Sequence, residues 1–291
     1  MKLHLSRRHW PFLLVAPGLI WLVCFFVLPI LELLRQSWSR PTTRFGLETT
    51  LSASPANYSD ALSIATPLFL RSMAIAGLAT VVGLVIGFPL AWWIVRRGGR
   101  WKPLLTGLIV VTFFFSSLVR TIAWTTLLAD SGPLMQLVRY LSLGHLLNGL
   151  GLLQDGRILN TTAALVAGIT YNYLPFLVLP IVASLGTIDP ILLEAASDLG
   201  ARTPRIFIKI VFPLAMPGLI SGSLLTFIPA MGDVVNSQYL GGVNDRMIGG
   251  LIADLVLVQQ KFATASAISV MLLAMIGASL LLYSRKYGKL I

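Results

Sequence analysis

Ionisable side chains are scarce in this sequence, and those that fall inside apolar runs are the ones whose chemistry has to be explained. Asp233 follows Gly232 at the end of one apolar run, where a carboxylate is costly unless it faces water or a partner. Two readings follow: a charge lining a pathway, or one held by a neighbouring group. Arg120 lies within another apolar run and cannot easily face lipid, so it should pair with a carboxylate as a structural lock or a gate, the structural role being preferred. Tyr171, Asn172 and Tyr173 stand together in a third run. Their aromatic faces suit an alkylammonium group, and they equally suit packing and hydrogen bonding between helices. All of this is recognition chemistry, with no sign of bond breaking. His4, His9 and His145 lack metal-ligand spacing, and Cys24 sits alone in an apolar run, which excludes a disulfide framework or a cysteine metal site. No G-x-S-x-G or H-E-x-x-H motif occurs, and Gly288-Lys289 is followed by Leu290, so there is no phosphate loop. Any ATP that drives this chain must be bound by another polypeptide. No cofactor or metal of its own is expected.

The elements that position these residues are membrane helices. Charged residues are 11% of the chain, hydrophobic residues 56%, and the mean hydropathy is +0.83; a soluble domain carries roughly 25% charge. The expected fold is all-α, one membrane domain over 1–291, with spans near 12–34, 68–95, 104–128, 162–186, 214–231 and 262–283. The first run follows Lys2, Arg7 and Arg8 but is too long for a signal-peptide core and lacks a small-residue cleavage site. Residues 35–67 read as a Ser/Thr-rich connection with little apolar periodicity. Leu134, Leu137, Val138 and Leu141 form a helical stripe on a short interfacial element. No repeat of 20–50 residues is visible.

One polar stretch interrupts this pattern, residues 187–213. Asp189 is a good N-cap with Pro190 at the first helical position. Leu192, Leu193, Ala196 and Leu199 give that helix an apolar stripe, and Gly200 supplies the left-handed residue that ends it. Thr203-Pro204 repeats the cap-plus-proline start, and Pro213 either stops the second helix or marks entry into the next span. The result is a two-helix knob with a sharp corner, shaped to dock on one membrane face.

Charge sets the orientation. Thirteen lysines and arginines fall on the side of the termini and the knob, seven on the other, and Arg71 and Arg120 within spans. The positive-inside rule therefore puts both termini and the knob in the cytoplasm. Among the acids, Asp189, Glu194 and Asp198 lie inside, and most of the rest lie outside. Those outer carboxylates attract cations, or simply balance the outer basic residues.

Glu194-Ala195-Ala196, then Gly200, then Ile210-x-Phe212-Pro213 resembles the EAA loop of ABC-importer membrane subunits, with Phe212 in place of the usual leucine. The resemblance implies that Glu194, Ala195, Ala196, Asp198, Gly200 and Arg202 couple the chain to a cytoplasmic ATPase. Gly87-Phe88-Pro89-Leu90-Ala91, Arg120-Thr121-x-x-Trp124, Tyr171-x-Tyr173-Leu174-Pro175-Phe176, Ile228-Pro229-Ala230-Met231-Gly232-Asp233 and Leu240-Gly241-Gly242 look like the spermidine/putrescine-type group, more narrowly its first permease subunit. That implies a type I importer fold in a bacterial inner membrane. It also implies a pair of ATP- and Mg-using ATPase subunits, a second permease, and a solute-binding protein outside. Asp233, Tyr171, Asn172, Tyr173 and Arg120 would be the candidate pathway residues for a small cation. A permease of the same superfamily for another solute is the nearest alternative. A secondary transporter would need midplane carboxylates and an embedded enzyme a catalytic cluster; neither is evident.

Overall fold

Helices dominate the computed structural model, which describes residues 10–41, 49–51 and 56–287. The charges of Lys2, Arg7, Arg8, Arg44, Glu48 and Lys289, used above for orientation, lie outside the described residues. The chain divides into two compact units, one drawn from Met1–Thr66 and Ile252–Leu280, the other from Pro67–Leu251 and Leu281–Ile291.

The first unit opens with helix α1 (Trp10–Leu22), a π-helical turn (Val23–Val27) and α2 (Leu28–Ser37). Pro29 is the second residue of α2 and has no N–H for the carbonyl of Phe25. The widened turn takes the preceding residues off that register, which lets the rod continue past the proline. The expected irregular connection over 35–67 is instead partly ordered. Strands β1 (Ser39–Pro41) and β2 (Thr49–Leu51) pair antiparallel, with Ser39 opposite Leu51. Helix α3 (Ala56–Arg97) then starts well before the expected span limit at residue 68. Its early apolar face is carried by buried Ala61 and Ala65, which contribute little to a hydrophobicity reading. Asn57 Nδ2 pins this start by donating to the carbonyls of Ser37 (3.0 Å) and Ser39 (2.8 Å). Helix α14 (Phe262–Tyr287) meets α2 through Ser266 Oγ, 3.3 Å from Gln36 Oε1.

In the second unit, the third expected span is not one straight helix. Helix α4 (Lys102–Val111) and a tight turn (Thr112–Phe114) are bent by 95° from α5 (Ser117–Leu128) and the residues beyond it. Three consecutive phenylalanines lose rotamer freedom in a helix, and the serines after them favour caps over helix interiors. Phe115 and Ser116 accordingly take extended ψ values of 134° and 135°. Short helices α6 (Pro133–Tyr140) and α7 (Gly144–Gly149) follow. On α6 the buried row is Met135 and Val138, with Leu134 partly covered; Leu137 is exposed, and Leu141 lies past the helix end, also exposed.

Helix α8 (Thr162–Gly186) coincides with the fourth expected span and is capped by Thr161 Oγ1, which accepts from the Ala164 N–H. It packs along α11 (Phe212–Met231). The approach is close because of two glycines one turn apart. A Cβ on Gly218 would stand 2.6 Å from the Pro180 carbonyl oxygen, and one on Gly222 2.6 Å from that of Leu177. Without a hydrophobic drive between helices in lipid, such backbone-to-backbone packing is what holds spans together. Among the described residues, five helical stretches are long and apolar enough to cross a membrane, and the bent pair makes a sixth.

Candidate functional site

Two features stand out, a polar corner between α8 and α11 and a buried polar junction at the far end of α11.

The corner begins with α9 (Pro190–Asp198). Asp189 caps it as expected, its Oδ1 accepting from the Ile191 N–H at 2.9 Å. Gly200 turns the chain at φ +78°, a conformation that side-chain-bearing residues resist. The second helical segment departs from expectation. Arg202, with its backbone extended, precedes α10 (Thr203–Ile206), so Thr203 is helical and makes no cap bond. A π turn (Phe207–Val211) then leads straight into α11, with Pro213 as that helix's second residue. Pro213 therefore marks entry into the span, by the device seen before Pro29.

The expected stripe on α9 is only half inward. Leu193 and Ala196 are partly covered, Leu192 is exposed, and Leu199, past the helix end, is 89% exposed. The base of the corner is firm: Ile188, Val211 and Ala215 join Phe88 and Ala91 of α3 in one core, and Phe207 meets Phe88 edge-on at 5.4 Å. The tip is bare. Glu194, Ala195, Asp198, Gly200 and Arg202 are exposed, and among the described residues the side chains of Glu194, Asp198 and Arg202 have no bonded partner. Exposed Ile191, Leu192 and Leu199 beside unpaired charges form a surface suited to a partner's cleft.

The junction assembles where α5, α8 and the segment after α11 meet. Asp233, 7% exposed, accepts the Tyr173 hydroxyl on Oδ2 (2.9 Å). Asn236 donates to it twice, from its backbone N–H to Oδ1 (2.7 Å) and from Nδ2 to Oδ2 (2.9 Å). Asp233, one residue before the N-cap Val234, thus holds a first-turn N–H of the short helix α12 (Val235–Tyr239). Asn236 Oδ1 in turn lies 2.8 Å from Asn172 Nδ2 and 3.0 Å from Thr121 Oγ1. Three donors converging on one carboxylate give it the strong hydrogen bonds that a buried negative charge requires.

Of the expected pathway residues, Asp233, Asn172 and Tyr173 therefore come together. Tyr171 does not; it is partly exposed, with its ring 5.5 Å from Trp124. Arg120 reaches the junction's edge, donating from Nη1 to the Asn172 carbonyl at 3.4 Å. The carboxylate expected beside it is absent among the described residues, and its buried Nε has no acceptor there. Thr121 and Asn236 were not singled out as site residues. The D-x-x-N spacing of an aspartate that accepts an N–H three residues on was the available signal for Asn236. Nowhere among the described residues do three His, Cys, Asp or Glu side chains cluster as metal ligands would.

The sequence matches the family described as binding-protein-dependent transport system inner membrane component, over residues 79–285. The chain belongs to this family of transport permeases. This permease is 33% identical over 270 residues to the spermidine/putrescine transport system permease protein PotB of Haemophilus influenzae, covering 91% of this chain and 90% of that one. It is 35% identical over 272 residues to PotB of Escherichia coli K12, covering 91% and 93%. In fold it is similar to a chain of the bacterial alginate ABC transporter solved in complex with alginate pentasaccharide-bound periplasmic protein. The TM-score is 0.68 at 16% identity, with 96% of each chain covered. The permease thus has the type I ABC importer fold that its sequence resembles, in a family of inner-membrane proteins.

Proposed function

We propose that this permease is one membrane-spanning domain forming half of the translocation pathway of an ATP-driven importer for a small cationic solute, a polyamine such as putrescine or spermidine. The observation that carries the solute is the likeness, across nine-tenths of the chain, to permeases named for spermidine and putrescine transport. The polar junction supports it. An ammonium group leaving water needs a compensating negative charge, and Asp233 offers one beside the aromatic ring of Tyr173. In the open pathway an ammonium group takes the place of the Tyr173 hydroxyl at Oδ2, while the Asn236 bonds keep the carboxylate in place. Arg120 stays structural.

On this reading the corner carrying Glu194, Ala195, Ala196, Asp198, Gly200 and Arg202 docks into a cytoplasmic ATPase dimer, which binds ATP and Mg. A second, homologous permease completes the pathway, an extracytoplasmic binding protein delivers the solute, and both termini face the cytoplasm. The bare, unpaired tip on a firmly packed base supports docking. Affinity purification of the tagged permease from its native membrane tests the assembly. It should bring down an ATPase and a second permease in stoichiometric amounts; isolation as a transport-competent single chain would overturn the reading.

A further inference from the structure

Around the turn from α3 to α4 the chain places Arg96 and Arg97 at the end of α3, Arg100 in the turn and Lys102 at the start of α4, and among the described residues none has an acidic partner. Tryptophans surround this turn. Arg96 lies over the Trp92 ring at 5.0 Å, Arg100 over Trp101 at 5.4 Å, and Trp93 and Trp101 are exposed. Unpaired cations among exposed indoles are the composition of a helix end at a lipid headgroup layer.

An open groove of about 770 Å³ runs from this turn between α4 and α8. Its sides are apolar or small, with Gly107 and Val110 on α4 and Leu179, Val182 and Ala183 on α8, and Lys102 stands at one end. A Cβ on Gly186 would come 3.5 Å from Lys102 Nζ, so the ammonium sits beside the C-terminal end of α8, whose carbonyls favour a cation there. The walls from Leu179 to Gly186 rise about 10 Å at 1.5 Å per residue.

From this geometry we infer that the groove is a binding site for an anionic phospholipid, with an acyl chain along Gly107 and Ala183 and the phosphate at Lys102. An apolar helix of the second permease would fill the slot and leave Lys102 unpaired; an anionic headgroup answers both the slot and that charge. The groove reaches Thr187, two residues before the cap of α9, so a bound lipid braces the base of the corner. The inference is independent of which solute is carried.

Native mass spectrometry of the full-length, delipidated permease, titrated with dioleoylphosphatidylglycerol, dioleoylphosphatidylcholine or inorganic phosphate, tests this. Phosphatidylglycerol should bind at roughly tenfold lower concentration than phosphatidylcholine, about 1.4 kcal/mol, and inorganic phosphate should not displace it. Lys102→Gln should erase that preference, and Ala183→Trp should block both lipids; Thr106→Trp serves in its place if Ala183→Trp fails to fold. Equal binding of the two lipids, displacement by inorganic phosphate alone, or indifference to both substitutions would overturn the site. So would loss of the phosphatidylglycerol adduct on assembly with the second permease, which would assign the groove to that subunit.

Discussion

Asp233 receives a donor at every bonded position, so replacing it with asparagine separates its two roles. Asn also serves as an acceptor at helix starts, and its Oδ1 can keep the Asn236 N–H, while the bond from Asn236 Nδ2 is lost. Stability should fall by about 1 kcal/mol. Uptake of a cationic solute, at matched membrane abundance, should fall tenfold or more, because the charge is gone. Wild-type uptake in Asp233→Asn would leave Asp233 an acceptor for the first turn of α12 and nothing else. Thr121→Val keeps shape and removes the hydroxyl that Asn172 Nδ2 and Asn236 Oδ1 share. Buried donors and acceptors left unmade cost about 1–3 kcal/mol each, so thermal unfolding in detergent should shift several degrees down, and an unchanged midpoint would remove Thr121 from the network. Asp233, Asn172 and Tyr173 were legible in the sequence because polar groups in apolar runs need partners. Thr121 and Asn236 were not, because a threonine or asparagine gains this role only from the approach of three helices. The failed pairing of Arg120 has the same origin: sequence says that a buried cation needs an acceptor, not that a backbone carbonyl supplies one.

At the scale of elements, the corner depends on Gly200. Valine at φ +78° is strained and β-branched, so Gly200→Val should unseat α9 and abolish solute-stimulated ATP hydrolysis while the subunit remains in the membrane. Full stimulation at equal abundance would separate the corner from coupling. Gly222→Leu should be worse for folding than for coupling, since its side chain meets the Leu177 backbone; loss of the subunit from the membrane checks this. The α8 span and the capped α9 were readable because apolar length, Asp189 and Gly200 all agree with the final structure; the Thr161 cap of α8 was not read. The 95° break at Phe115-Ser116 was hidden, since no proline or glycine marks it. The early start of α3 was hidden by its alanine-lined face.

For the whole molecule, orientation and energy coupling are the claims at stake. In a Cys24→Ser background, cysteines at Gln154 and Asn244 should react with an impermeant maleimide in intact cells, and those at exposed Arg100 and Arg202 only after permeabilisation. Reaction at Arg202 in intact cells would reverse the topology and detach the corner from any cytoplasmic ATPase. The most direct measurement is uptake of radiolabelled putrescine by proteoliposomes that hold the permease with its copurified ATPase and second permease, supplied with the binding protein outside. The account predicts uptake that requires ATP and Mg inside the vesicle and vanishes with a non-hydrolysable analogue. Putrescine uptake by the permease alone, driven by an ion gradient without ATP, would contradict it.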